Sequence, residues 1–305
     1  MVRVAQKVRV KVDDRELTLT NLDKVLYPEF GFTKAEVIDY YSRVAPVMIP
    51  HLKGRPVTVK RYPGGVDQPF FFEKNRPAHT PDWVRTATLP APGSTKDRET
   101  IDYAIVDDLP TLVYLAGLAA LEFHTPMWRV DEQGRAQQPD TMVFDLDPGA
   151  PATIVECCQV ALRLREVLQE DGLDACPKTS GNKGMQVYVP WSHRSENPSE
   201  YSKAVARRLE KERPDEIVSQ MARKLRPGKV FIDWSQNNPA KTTVTPYSLR
   251  ANRIPTVSTP ITWEQVEGCD RPEDLVFTAG EVLRRVEELG DLMVPPERSA
   301  TGDGP

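Results

Sequence analysis

The 305-residue chain lacks the features that mark membrane proteins, secreted proteins and zinc-binding domains. It has no run of about 18 apolar residues, and its N-terminus alternates charged residues with valine where a signal peptide would carry an apolar core. The four cysteines form no C-x-x-C pair and have no histidine at zinc-ligand spacing. We therefore expect reduced cysteines and a cytoplasmic protein.

The chain also lacks an excess of positive charge. Its 40 Lys and Arg against 44 Asp and Glu give a formal net charge of -4. A protein of this charge does not coat nucleic acid over its whole surface, so any polyanion has to meet a local basic patch. The length is sufficient for one large core or two smaller lobes, and no internal repeat is present.

The most informative segment is residues 142–149, an apolar strand that ends in two aspartates and a Pro-Gly turn. Side chains alternate along a strand, so Asp145 and Asp147 share one face. Two carboxylates about 4 Å apart repel by about 4 kcal/mol at an effective dielectric of 20. A fold relieves this by protonating one of them or by binding a cation, and a hard divalent metal is the simplest solution. Alone, such a pair is more often a solvated strand end.

Two further segments carry compatible chemistry. Residues 229–234 form a second predicted strand that ends near a carboxylate, Asp233. Residues 177–184 form a glycine-flanked loop with Ser180 and Lys183, which together offer backbone N–H groups, a hydroxyl and an ammonium to a phosphate. The spacing is not that of a Walker loop.

Lys34 lies in the first turn of a predicted helix. Thr33 and Glu36 form a capping-box pattern that starts the helix there. The helix dipole disfavours a cation at this end. Lys34 with nearby Lys24 therefore either binds a phosphate or points to water.

Three consecutive phenylalanines, residues 70–72, follow the predicted strand 55–62. Beside Lys60 and Arg61, an exposed aromatic could stack on a nucleic-acid base. The alternative is a strand buried on both faces. His124, at the exit of an apolar helix, is on its own more typical of a structural hydrogen-bonding residue than of a ligand.

Periodicity and capping patterns predict several further elements. The strands are 2–12, 83–89, 100–106 and 185–189, and the helices are 33 to about 46 or 50, 110–121, 153–171, 201–213, 215–225, a short one from 262, and 278–290. A carboxylate pair plus a third carboxylate is suited to two divalent metals in phosphoryl or nucleotidyl transfer. Periodicity alone does not bring these segments together.

A set of seven segments is distinctive in its order and spacing. They are LTNLDKVLYPE, GRPVTVKRYPGGVDQPFFFEK, LEFHTPMW, MVFDLDPG, KTSGNKG, KVFIDWSQNN and TPYSLR. Together they resemble the polymerase domain of bacterial DNA ligase D, within the archaeo-eukaryotic primase-polymerase superfamily. The similarity extends from about residue 17 to residue 292.

The resemblance implies an α+β fold, in which two β-sheets flanked by helices form a central catalytic cleft. It implies that Asp145, Asp147 and Asp233 bind two divalent cations, with manganese preferred over magnesium. The nucleotide-binding residues that it implies are His124, Ser180, Lys183, Arg226, Arg250, Lys60 and Gln236, with Phe71 or Phe72 packing on a base or on the template. Lys24 and Lys34 would bind a DNA 5′-phosphate.

The implied reaction is attack of a primer 3′-hydroxyl on the α-phosphate of a nucleoside triphosphate, preferably a ribonucleotide, with release of pyrophosphate. The substrates would be gapped or broken DNA ends in non-homologous end joining. The implied partners are a Ku-like end-binding protein and a separate DNA ligase at the bacterial nucleoid, with no membrane.

The sequence divides into a basic N-terminal strand or arm (1–16), a catalytic unit (17–294) and a disordered tail (295–305). The N-terminal stretch lies outside the family pattern, and Tyr62 stands where tryptophan is common. Two alternatives remain open. One is a two-metal nuclease, which the same carboxylates would suit, and the other is a non-catalytic module that bridges DNA ends.

Overall fold

The structure is a computed structural model that describes residues 7–91, 99–192 and 194–293. The strands within these ranges are β1 Lys7–Val12, β2 Arg15–Thr20, β3 Val25–Tyr27, β4 Phe32–Thr33, β5 Thr58–Arg61, β6 Phe71–Glu73, β7 Thr86–Pro90, β8 Thr100–Ala104, β9 Ala120–Thr125, β10 Trp128–Val130, β11 Ala136–Pro139, β12 Thr141–Pro148, β13 Cys176–Thr179, β14 Met185–Pro190, β15 Ile217–Val218, β16 Val230–Asp233 and β17 Thr243–Val244. The helices are α1 Lys34–Leu52, α2 Leu109–Gly117, α3 Ile154–Glu170, α4 Pro198–Glu212, α5 Trp263–Glu267 and α6 Ala279–Leu289.

The aspartate strand β12 lies in the middle of a five-stranded sheet of order β13-β14-β12-β16-β15. It pairs antiparallel with β14 on one side and with β16 on the other. Because side chains alternate, Phe144 and Leu146 point into a core formed with α3 and α4. Asp145 and Asp147 therefore lie on the opposite face.

The second large sheet has the order β17-β9-β5-β6. Val59 on β5 lies directly opposite Phe123 on β9. Both are buried in a second core that contains residues of α1, α2 and α6. Lys60 lies directly opposite Glu122, so this pair occupies the other face of the sheet. Two sheets flanked by helices are therefore present, and the predicted fold class is confirmed.

Most predicted helices are present, and three of them begin with the predicted capping boxes. The boxes pair Thr33 with Glu36, Thr153 with Glu156, and Thr262 with Gln265. Helix α1 continues past both of its prolines to Leu52. The predicted helix 110–121 ends earlier, at Gly117. Two residues later, Ala119 has a left-handed φ of 61°, and the chain turns there into β9.

The predicted helix 215–225 is wrong. Ile217 and Val218 form a short edge strand parallel to β16, and both side chains are buried. Residues 223–225 form only a 3₁₀ turn. Two adjacent buried apolar side chains fit an edge strand better than one face of a helix, so pairing with β16 outweighs local helical propensity.

The N-terminal strand begins within the described residues at Lys7 and forms a hairpin with β2. Val10 and Val12 pack against the core of the four-stranded sheet. Residues 1–6, the loop 92–98 and the predicted tail 295–305 lie outside the described residues, so the predicted tail stays a prediction. In the part of the chain that is described, no helix is long and apolar enough to cross a membrane.

Candidate active site

Three aspartates meet where β12 and β16 pair. Asp145 lies directly opposite Asp233 in the antiparallel register, and Asp147 follows on the same face of β12. The side-chain amide of Gln236 donates to both opposed carboxylates, at 3.0 Å to Asp233 and 3.4 Å to Asp145. The predicted convergence of the two carboxylate strands is therefore observed.

Asp145 and Asp147 are disfavoured in their ionised forms. Burial, then the charges of Asp147 and Asp233, raise the pKa of Asp145 to about 7, although a hydrogen bond from Gln186 opposes the shift. Partial burial and the charge of Asp233 also raise the pKa of Asp147. Such clustered acids with raised pKa values are typical of functional sites.

The oxygens of these aspartates are the hard donors that Mg²⁺ and Mn²⁺ prefer. As placed here, no three His, Cys, Asp or Glu side chains of the described residues surround a common metal position. The Gln236 amide lies between Asp145 and Asp233 and donates a hydrogen bond to each. A bound cation would contact the same two carboxylates. The donor set fits divalent cations, provided that the Gln236 side chain turns aside.

A row of polar residues runs across four neighbouring strands. Lys178, Gln186, Asp145 and Asp233 are successive register partners on β13, β14, β12 and β16. Gln186 donates to Asp145 at 3.0 Å, and Lys178 is fully buried and donates to Ser258. Sequence reasoning missed Gln186 and Lys178, because their positions depend on which strands are neighbours.

The glycine loop lies beside the aspartate strand because Gly184 permits close approach, and Gly181 lets the same loop pack against the segment that contains Val257. A Cβ at Gly184 would lie 2.1 Å from the carbonyl oxygen of Leu146. Gly181 has a φ of +69°, and a Cβ there would lie 2.7 Å from the Val257 backbone. The Ser180 hydroxyl accepts hydrogen bonds from two N–H groups of its own loop, both at 3.2 Å. Its oxygen therefore shapes the loop, while its hydrogen remains available to a phosphate oxygen.

Two arginines flank the aspartates with unused donors. The Arg226 guanidinium lies 3.6 Å from the ring centroid of Phe231, and Arg250 donates to the Ser180 carbonyl at 3.1 Å. The Nε atom of Arg226 is buried and has no hydrogen-bond partner among the described residues, whereas the buried Nε atom of Arg250 forms an ion pair with Glu122 at 3.6 Å. A buried cationic donor without a hydrogen bond is costly, so the position of Arg226 favours an anionic ligand.

The four-stranded sheet contributes a second charged cluster. Glu122 accepts a hydrogen bond from His124 at 2.9 Å and lies 3.4 Å from the Lys60 ammonium and 3.6 Å from Arg250. Burial alone would raise the pKa of Glu122, but His124, Arg250 and Lys60 outweigh it and lower the pKa to about 2. Burial also lowers the pKa of His124. Glu122 was not predicted from the sequence.

A cavity of about 400 Å³ lies between these clusters. Its walls contain eight of the predicted residues: His124, Asp145, Asp147, Ser180, Lys183, Arg226, Gln236 and Arg250. Residues that sequence reasoning did not assign to the site also line it: Asn182, Gln186, Thr242 and Thr243. Asp233 adjoins the cavity through its contact with Gln236, whereas Lys60 is one residue further away, because its partner Glu122 contacts the lining residue His124.

The phenylalanines are exposed, and the alternative of a strand buried on both faces is wrong. Phe70, Phe71 and Phe72 are 47%, 43% and 58% exposed. Phe72 lies near His124, with ring centroids 6.4 Å apart, and shares a face with Lys60. Phe71 points to the other face, where Arg61 stacks on it. Phe72 is thus the one next to the cavity.

Lys34 begins α1 as predicted, but its side chain does not point to water. It is only 6% exposed, and its ammonium donates to the Thr20 carbonyl at 2.7 Å. Burial, then the charges of Arg61 and Lys24, lower the pKa of Lys34. Lys24 is exposed and donates to the Pro63 carbonyl. The two predicted lysines are therefore neighbours, and Arg61 adds a third cation.

An acidic cluster facing arginines and a glycine loop across one cavity is suited to handling a metal-bound polyphosphate. The class of protein that this fold and site define is a nucleotidyl-transferring enzyme. A model of the family described as "LigD, primase-polymerase domain" matches residues 33–293. The chain belongs to this family of polymerase domains.

Its relatives are consistent with this assignment. The chain is 43% identical over 286 residues to the multifunctional non-homologous end joining protein LigD of Mycolicibacterium smegmatis, covering 92% of this chain and 36% of the relative. It is 32% identical over 278 residues to the bifunctional LigD protein of Bacillus subtilis, covering 90% of this chain and 43% of the relative. The chain thus spans less than half of these relatives.

A solved structure shows the same fold. The polymerase domain of Mycobacterium tuberculosis ligase D, in complex with DNA, superimposes with a TM-score of 0.84 at 42% identity. The match covers 90% of this chain and 96% of that one. Nearly the whole chain therefore corresponds to one polymerase domain.

Proposed function

We propose that this domain adds nucleotides, preferentially ribonucleotides, to DNA 3′-hydroxyl ends at gaps and double-strand breaks during non-homologous end joining. One observation carries the proposal. Arg226, Arg250 and Lys183 line the same cavity as Asp145 and Asp147. Cationic donors opposite carboxylates suit a triphosphate that carries divalent cations.

Asp145, Asp147 and Asp233 would hold two divalent cations, manganese in preference to magnesium. When bound, such cations lower the pKa of the attacking hydroxyl and neutralise charge on the phosphates. The three carboxylates lie close together at the start of the paired segment of β12 and β16, so they share one side of the cavity. Gln236 would exchange its contacts with two of them for contacts with the nucleotide.

The remaining residues would orient the nucleotide. Arg226, Arg250 and Lys183 supply positive charge to the triphosphate, and the Ser180 hydroxyl donates one hydrogen bond. The leaving pyrophosphate is then stabilised by groups that are already in place, without reorganisation during the reaction. Phe72 packs on a base at the edge of the cavity, with His124 and Lys60 beside the sugar and phosphates.

Lys24 and Lys34 would bind the 5′-phosphate of the downstream DNA end. Their ammonium groups lie close enough for Lys24 to affect the pKa of Lys34, and they adjoin Arg61. The relatives are named for end joining, and the solved neighbour binds DNA. On this proposal, residues 17–294 form the catalytic unit and 1–16 a basic arm, and the protein acts at the nucleoid with a Ku-like protein and a ligase.

The test is extension of a short-gapped, 5′-phosphorylated DNA with each ribonucleotide or deoxyribonucleotide and Mn²⁺ or Mg²⁺. We expect wild type to extend the primer, faster with ribonucleotides and with Mn²⁺, and the Asp145→Ala/Asp147→Ala variant to be inactive. Shortening of the strand would establish the nuclease alternative instead. DNA binding with no product from the wild type would establish the end-bridging module.

The exchange Asp131→Asn serves as a control for the loss of an acidic residue. Asp131 is a turn residue whose carboxylate bonds to Arg135 and to backbone groups of its own turn. Its replacement should leave extension unchanged. Equal loss in this variant would show that the assay reports general damage.

A further inference from the structure

Glu122 stands at the centre of a cluster of basic residues beside the cavity. Glu122 and His124 are two residues apart on β9, so their side chains share a face. Lys60 is the register partner of Glu122 on the neighbouring strand. Arg250 comes from the segment that follows β17, and the next residue, Ala251, donates its backbone N–H to Glu122 at 3.1 Å. One carboxylate thus joins three separate segments.

Glu122 is buried and ionised. Its side chain is only 3% exposed, and its pKa is about 2. A buried carboxylate of this kind is costly unless its oxygens are paired, and here His124, Lys60, Arg250 and the Ala251 N–H surround it. Without Glu122, the basic side chains of Lys60, Arg250 and His124 would lie around one buried position with no anion between them.

Glu122 also determines which atom of His124 is available. An ionised carboxylate can only accept hydrogen bonds, so the Nε2 atom of His124, 2.9 Å away, carries the hydrogen. Burial lowers the pKa of His124 and so favours the neutral imidazole, although Glu122 opposes the shift. The other ring nitrogen, Nδ1, is therefore an acceptor and is suited to a ligand hydroxyl.

The partners of Glu122 belong to the site. His124 and Arg250 line the cavity. The third partner, Lys60, places its ammonium 4.3 Å and 5.5 Å from the ring centroids of Phe70 and Phe72. A change at Glu122 would therefore move or release groups on the cavity wall, with no direct contact between Glu122 and the substrate.

We propose that Glu122 is a positioning residue for nucleotide binding, which holds Lys60, His124 and Arg250 in the arrangement that receives the nucleoside triphosphate. This inference rests on the proposed polymerase function. It assigns a specific role to a carboxylate that does not belong to the aspartate cluster.

The experiment compares Glu122→Gln with wild type in the gap-extension assay. Glutamine keeps the size and one acceptor oxygen but removes the charge. We expect the KM for the nucleotide to rise at least about tenfold, because three orienting contacts weaken together. The Kd for 5′-phosphorylated gapped DNA without nucleotide should stay within about twofold, because Lys24 and Lys34 lie outside the cluster. Histidine ¹⁵N NMR should show the Nε2–H tautomer of His124 in wild type and its loss in the variant.

Asp140→Asn is the matched control. Asp140 is another largely buried carboxylate, and it lies outside the cavity. It accepts hydrogen bonds from Arg55 at 2.6 Å and from Arg129 at 2.7 Å. Its variant should melt at a lower temperature with an unchanged nucleotide KM. If Glu122→Gln does not fold, Glu122→Asp decides the matter, because it keeps the charge but shortens the side chain. It should show a rise in KM of about threefold or more with unchanged DNA binding.

Three outcomes would overturn the inference. One is a folded Glu122→Gln protein whose nucleotide KM lies within about twofold of wild type. Another is a parallel loss of nucleotide and DNA binding, as from general unfolding. The third is a folded Glu122→Asp variant with wild-type KM when Glu122→Gln cannot be studied. These results leave an active wild type and so affect this inference alone, whereas a wild type that incorporates no nucleotide would overturn the proposed function as well.

Discussion

Asp145→Asn should remove activity and yet stabilise the metal-free protein at alkaline pH. The pKa of Asp145 is raised to about 7, from an ordinary value near 3.8, by burial and by Asp147 and Asp233. A rise of about three pH units at about 1.4 kcal/mol each amounts to about 4 kcal/mol of lost stability when the carboxylate is ionised. The residue is partly exposed, and asparagine leaves one of its two glutamine donors unmatched. We therefore expect a net gain of about 1–2 kcal/mol.

The sign of the pH dependence follows from the raised pKa. The folded protein holds the Asp145 proton more tightly than the unfolded chain, so the wild type loses stability as the pH rises from about 4 through about 7. The gain from Asp145→Asn should therefore be full at about pH 9 and absent at about pH 4.

The assay is thermal and denaturant unfolding in EDTA at both pH values, where the gain corresponds to about 2–6 °C in Tm. Mn²⁺ should raise the Tm of wild type much more than that of the variant. Asp140→Asn should show the opposite sign, because Arg55 and Arg129 hold the pKa of Asp140 below its usual value despite its burial. A variant less stable than wild type at about pH 9, or equally stabilised at both pH values, would refute the electrostatic reasoning.

Three further predictions concern other parts of the site. Lys24→Ala should weaken binding to 5′-phosphorylated gaps about tenfold in a fluorescence anisotropy titration, with no effect on binding to 5′-hydroxyl gaps. Lys34→Ala should have the same effect on binding. It should also lower Tm, because the aliphatic part of the Lys34 side chain is buried. Lys178→Met should raise Tm in EDTA more at about pH 5.5 than at about pH 9, since burial lowers the pKa of Lys178 and charging it in the core costs stability as the pH falls; an equal shift at both pH values would argue against this. Phe72→Ala should raise the nucleotide KM about tenfold through lost stacking, whereas Phe71→Ala, on the opposite face, should leave KM within about twofold; the reverse order would exclude the assignment.

Local patterns in the sequence were sufficient to predict what depends on one segment at a time. Alternation placed Asp145 and Asp147 on one face of a strand, and capping boxes located the starts of α1, α3 and α5. The helix predicted at residues 215–225 is wrong because the prediction used only the local sequence. Ile217 and Val218 are buried where they pair with β16, which is distant in the chain. When a segment is buried by a strand that is distant in the sequence, the spacing of its own apolar residues does not predict its secondary structure.

The residues missed by sequence reasoning are those whose role depends on strand order. Gln186 reaches Asp145 because β14 lies next to β12, and Lys178 lies one strand further along the same row. Glu122 precedes His124 by two residues, but only the pairing of β9 with β5 brings Lys60 to it. The motif LEFHTPMW contains both Glu122 and His124. It does not show that Glu122 is the common anionic partner of Lys60, His124 and Arg250.

On the proposed function, the two sheets would contact different parts of a bound nucleotide. The five-stranded sheet carries the three aspartates, which repel one another and require cations. The four-stranded sheet carries Lys60 and His124 around Glu122, and Arg250 joins them from a neighbouring segment. A metal-bound triphosphate would satisfy both sides at once, since its cations would meet the aspartates and its oxygens would meet the basic groups. Binding the polyanion and its cations together therefore costs less in desolvation than binding either one separately.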